Sequence, residues 1–79
     1  MRPPQLYHIT VQGHLDAAAA AWFEGWAVTH WSDGTTTLTG VVPDQAALHG
    51  RLNAVFALGL TLLAVQRQVE DRPLPQPLP

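Results

Sequence analysis

Four histidines, His8, His14, His30 and His49, are the side chains best suited to metal or proton chemistry in this 79-residue chain. A zinc-type site needs three or four convergent ligands. There is no cysteine, so histidine and carboxylate would have to supply them all. Their spacing does not bring them together. His8 falls at an outward strand position, His30 at an inward one near a hairpin end, His14 in a loop and His49 on a helix. The expectation is no metal site and no bound cofactor.

Nucleophile chemistry is equally thin. Ser32 is the only serine and lies in a hairpin turn, with no base placed beside it. Asp16, Asp33 and Asp44 all read as helix caps or turn residues, and Glu24 and Glu70 stand apart. A Gly-rich phosphate loop is lacking. No catalytic residue is nominated. The best ligand candidate is the turn VQGHLD: Gly13 permits close backbone approach, and Gly13, His14 and Asp16 precede a helix start. Asp16 argues against an anion there, because its own charge sits where the anion would.

These residues must be positioned by six patterned segments. Leu6–Gln12 alternates, with Tyr7, Ile9 and Val11 facing one way and His8, Thr10 and Gln12 the other. Asp16 caps an Ala-rich helix whose stripe is Leu15, Ala19, Trp22, Phe23 and Trp26, ended or loosened at Gly25. Ala27–Trp31 and Thr35–Val42 form a hairpin around Ser32-Asp33-Gly34. A two-residue turn would pair Thr29 with Leu38. A three-residue loop with left-handed Gly34 pairs Val28 with Leu38 and Thr29 with Thr37. The second register separates apolar from polar and is the one expected.

Asp44 caps the second helix, with Ala47, Leu48, Leu52, Val55 and Phe56 apolar and Gln45, His49 and Asn53 on the wetter side. Gly50 lies within it. Glycine there costs about 1 kcal/mol against alanine, so a close packing contact is expected at that point. Gly59 ends the helix. Leu60–Val69 is the last strand, with Leu63 and Val65 inward and Leu62, Ala64 and Gln66 outward. The order strand, helix, strand, strand, helix, strand predicts an α+β, ferredoxin-like βαββαβ sandwich. A four-stranded antiparallel sheet would carry both helices on one face, with strands one and three central. The domain is expected over 6–70, between an N-terminal tail at 1–5 and a Pro-rich, polyproline-like tail at 71–79.

That arrangement leaves one sheet face uncovered. It holds His8, Thr10 and Gln12, then Ala27, Thr29 and Trp31, then Thr35, Thr37, Thr39 and Val41, then Leu62, Ala64 and Gln66. None is Lys, Arg, Asp or Glu. Charge depletion is a property of interface cores rather than of solvated surface. His8, Thr10, Thr29, Trp31, Thr35, Thr37, Thr39 and Leu62 are therefore the expected oligomer contacts.

Composition agrees. Four arginines against six acids leave a net charge of −2, and Arg2, Arg51, Arg67 and Arg72 are scattered, so nucleic acid is not expected. Ala54–Val65, the most apolar stretch, is too short to span a bilayer. MRPPQLYHI lacks a signal-peptide apolar run, and a cytoplasmic location is expected.

The segment Thr35–Arg67 resembles a group of short uncharacterised bacterial proteins. They share an L-x-G-x-x-x-D-Q-A-A-L-H-G-x-L pattern, here Leu38, Gly40, Asp44 to Gly50 and Leu52, followed by an L-G-L-x-L-L-x-V exit, here Leu58 to Val65. The resemblance implies relatedness and brings no activity with it. Among families with the same fold pattern, acylphosphatase-like domains need a phosphate-cradling loop with Arg, metal chaperones need paired cysteines, and RNA-recognition domains need aromatics on the central strands. This chain has none of these. Amino-acid-sensing regulatory domains remain compatible through the Gly13–Asp16 turn.

Three readings follow. The first is a non-enzymatic homodimer or higher homo-oligomer associating through the open sheet face. The second is a regulatory module binding a small molecule at Gly13–Asp16. The third is a cofactor-independent enzyme with a pocket around His8, His30 or His49.

Overall fold

The computed structural model describes residues 4–68. The elements are β1 (Gln5–Gln12), α1 (Ala17–Ala20), a 3-10 turn (Ala21–Phe23), β2 (Ala27–His30), β3 (Thr35–Val42), α2 (Gln45–Ala57) and β4 (Thr61–Arg67). The strands form one antiparallel sheet in the order β2-β3-β1-β4. The fold is α+β, with β1 and β3 central and β2 and β4 as edges. Val69 and the Pro-rich tail at 71–79 lie outside the described residues.

The hairpin has the expected register: Val28 pairs with Leu38 and Thr29 with Thr37. Trp31 N–H donates to the Thr35 carbonyl at 2.9 Å, and Gly34 N–H donates back to the Trp31 carbonyl at 3.1 Å. Gly34 has φ +90°, the left-handed value that closes a three-residue loop without splaying the strands.

One face of the sheet carries the core. Tyr7, Ile9, Val11, Leu38 and Val42 from the strands are buried with Leu15, Phe23, Leu48 and Val55. Buried Thr36 sits among them and donates its hydroxyl to the Gly13 carbonyl at 2.6 Å. That bond removes the cost of an unpaired hydroxyl in an apolar layer.

The first helix is shorter than its alanine run suggests. It makes one α turn and one 3-10 turn, because five alanines cannot sustain a helix without an apolar face to bury. Phe23 is buried, but Trp22 is 54% exposed. Trp26 has left the helix, past Gly25 with φ +87°, and its N–H donates to the Phe23 carbonyl. It packs over buried Gly40, against Phe23 edge-on, and under the Arg51 guanidinium 5.8 Å from its ring centre.

In α2, Asp44 caps the N-terminus by accepting from Ala47 N–H at 2.8 Å, and Leu48 and Val55 are buried. Two expectations fail here. Phe56 is 58% exposed; it lies 100° around the helix from Val55, beyond the sheet's cover. Gly50 is exposed, and a methyl group built on it would meet nothing within 4 Å, so no packing contact accounts for this glycine.

β4 is also corrected. Ile9 pairs with Val65 and Thr10 with Ala64, but Val11 pairs with Leu62, so the register slips by one residue between Thr10 and Val11. This β-bulge sets two leucines against one valine. Leu62 is carried to the covered side and packs on the core. Expected as an outward interface residue, it does not belong to the open face. Leu63, expected inward, is displaced by the bulge and is 50% exposed, whereas Val65 pairs with Ile9 and stands on the covered side as expected, 36% exposed because it lies on an edge strand.

Candidate functional site

Register alone places the open face, since directly paired residues in an antiparallel ladder point to the same side. One row across the sheet is Thr29, Thr37, Thr10 and Ala64. The next is Ala27, Thr39, His8 and Gln66. Thr35 and Gln12 form a third pair with Thr61 beyond, and Leu6 and Val41 a fourth. Arg67 pairs with Tyr7 and so stands on the covered side. Among the described residues, the paired positions of the open face carry no Lys, Arg, Asp or Glu.

Side-chain hydrogen bonds tie this face together. Trp31 Nε1–H donates to Thr37 Oγ1 at 2.8 Å, laying a half-exposed indole against β3. Thr10 and Thr37 hydroxyls stand 3.5 Å apart. His8 Nδ1 is 2.9 Å from Thr39 Oγ1, and Nε2 is 2.7 Å from Gln68 Oε1. An amide oxygen only accepts, so Nε2 carries a proton; in the neutral ring Nδ1 then accepts from the Thr39 hydroxyl. Beside this network a shallow recess of about 420 Å³ is lined by Pro4, Gln5, Leu6, Val41 and Gln68.

Sequence reasoning missed one member of the open face, Gln68, and the tie between the face and a charge at its rim, Asp33. Gln68 lies beyond the last paired residue of β4, and its N–H donates to the Leu6 carbonyl at 2.8 Å; continuing the strand alternation past Gln66 was the available signal. Asp33 stands at the hairpin rim. Thr35 donates to its Oδ1 through the hydroxyl at 2.7 Å and through N–H at 3.0 Å. These two bonds, the hydroxyl first, hold its carboxyl below the ordinary aspartate range.

The Gly13–Asp16 turn is built differently from a ligand cradle. Gly13 N–H donates to the Gly34 carbonyl at 2.7 Å, and its carbonyl accepts from Thr36. His14 Nε2 donates to the Trp31 carbonyl at 2.9 Å, and its ring lies 4.8 Å from that of His30. Asp16 accepts from Ala19 N–H at 2.8 Å. The bonds of Gly13 and His14 join the first loop to the hairpin; that of Asp16 caps the first helix. His49 is exposed on α2. Among the described residues no group of three or more His, Asp or Glu is placed to hold a metal ion, and no helix is long and apolar enough to cross a membrane.

The fold and this face define a small α+β domain with one sheet face packed by helices and the other open. The family described as a domain of unknown function (DUF8691) matches residues 6–66, and the chain belongs to that family. No curated protein and no solved structure matches it.

Proposed function

We propose that this domain is ferredoxin-like and acts as a non-enzymatic homo-oligomeric interaction module, joined to a second copy through its open sheet face. The element order and the strand order β2-β3-β1-β4 support the fold assignment. The observation that carries the interaction is the absence, among the described residues, of charge from the paired positions of a four-strand face rich in threonine, with histidine and glutamine.

The choice of a second copy follows from self-complementarity. A twofold axis sets the same patch against itself, residue i meeting j and j meeting i. A lone charge on such a patch would meet an uncharged face or, on the axis, its own like charge. A threonine hydroxyl, a glutamine amide and a neutral imidazole each donate and accept, so each can pair with whichever polar group of the copy it meets. Exposed Trp31 and Val41 add apolar area at opposite ends of the face. Four strands at about 4.8 Å and eight residues at about 3.3 Å give a projected face of at most about 500 Å² per protomer. A dimer burying about twice that sits at the low end of specific interfaces, so association in the micromolar range is expected.

Sedimentation velocity from about 1 to about 300 μM spans that range. The proposal expects a weight-average mass rising from monomer to dimer. Constant monomer mass throughout would refute it.

A further inference from the structure

We propose that association through the open face is switched off by protonation of His8; the inference rests on the homo-oligomer reading above. His8 is the single ionisable side chain among the paired positions of that face, and it lies on central strand β1, paired with Thr39 on one side and Gln66 on the other.

Among the described residues, the open-face groups around it are neutral on every strand. β3 presents Thr37, Thr39 and Val41, β4 presents Ala64 and Gln66 with Gln68 beyond, and β2 presents Ala27 and Thr29. Its own strand adds Leu6 and Thr10. Arg67 is on the covered side. Asp33 is tied to Thr35 at the hairpin end, two rows from His8. Among the described residues, therefore, no carboxylate is placed to pair with an imidazolium there.

The hydrogen bonds of His8 separate folding from association. Nε2–H already donates to Gln68 Oε1. When Nδ1 gains a proton, the Thr39 hydroxyl turns and accepts in place of donating. Both bonds inside the protomer survive. The penalty falls on the interface, where two like charges, one from each copy, would be removed from water without a counter-ion. Excluding two protons per dimer links the association constant to pH: it is full above the histidine range and falls with acidification by up to about two powers of ten per pH unit.

The test is sedimentation equilibrium of the full chain at about pH 7.5 and about pH 5.5, with His8→Gln alongside. Association of the parent chain should weaken on the order of a hundredfold between the two, with unchanged circular dichroism. His8→Gln should show a ratio near one, whatever its absolute affinity. A parent dimer equally tight at both pH values overturns the switch and leaves the dimer standing; a monomer at both overturns the dimer and the switch together. A pH response retained in His8→Gln assigns the effect to other groups and also overturns the switch. Should His8→Gln fail to associate, the His8 ring proton resonances of the parent chain decide. They should titrate at lower pH in concentrated than in dilute protein, whereas those of His14, His30 and His49 should not move with concentration. A concentration-independent His8 titration refutes the proposal.

Discussion

The indole of Trp26 lies over the backbone of Gly40, so close that a methyl group at position 40 would come within 2.6 Å of the indole Cγ. Trp26 directly precedes Ala27, which pairs with Thr39, so the ring extends the β2–β3 ladder by one position. The Arg51 guanidinium also lies over the ring and donates to the Trp22 carbonyl at 3.1 Å. One aromatic thus links the sheet, the 3-10 turn and α2.

Gly40→Ala should therefore destabilise the fold by about 1–3 kcal/mol, the usual cost of overpacking a filled site. In a Trp26→Ala background the same change should cost less than about 0.5 kcal/mol, since the clash has gone and alanine suits a strand better than glycine. Urea unfolding of the four proteins gives the coupling. Additive effects would show that the indole is not what requires glycine.

Gly50 is the opposite case. It is exposed and meets nothing, so Gly50→Ala should stabilise α2 by about 0.8–1 kcal/mol and leave association unchanged. A loss of stability, or a change in oligomeric state, would place a contact at that helix face and count against the open sheet as the interface.

Asp33 carries a pH signature. Its carboxyl is held below the ordinary range by the Thr35 hydroxyl and then the Thr35 N–H. A carboxyl lowered in the folded state contributes stability above its unfolded value of about 3.9. That contribution is lost as pH falls through the folded value. Thr35→Val removes the hydroxyl donor, so Asp33 should titrate at higher pH by carbon-detected NMR. Any stability deficit of Thr35→Val should be present at neutral pH and close in strong acid. An unmoved Asp33 titration would contradict this.

The sequence made some of this legible and hid the rest for identifiable reasons. The hairpin register could be read because, of the two turns that Asp33-Gly34 allows, only the one pairing Val28 with Leu38 separates apolar from polar side chains. The open face followed from that register on three strands. β4 could not be read in the same way, because Leu60, Leu62, Leu63, Ala64 and Val65 are apolar on both sides. A one-residue slip leaves such a pattern intact, so the bulge that turns Leu62 inward left no trace. Gly40 did carry a signal, since a glycine inside a strand marks close backbone approach, but nothing in the order of residues named Trp26 as its neighbour. The contacts of His14 with Trp31 and His30 likewise arise only from the meeting of loop and hairpin.

The central claim is that the charge-free face holds two copies together. Thr37 sits near its middle, bonded to Trp31 and opposite Thr10. The most direct measurement is light scattering on Thr37→Glu beside the parent chain, with exposed Asn53→Glu on α2 as control. Thr37→Glu should be a folded monomer, because each copy would set a carboxylate into the interface, and the parent and Asn53→Glu should be dimers at the same concentration. A Thr37→Glu protein that associates as tightly as the parent would contradict that claim.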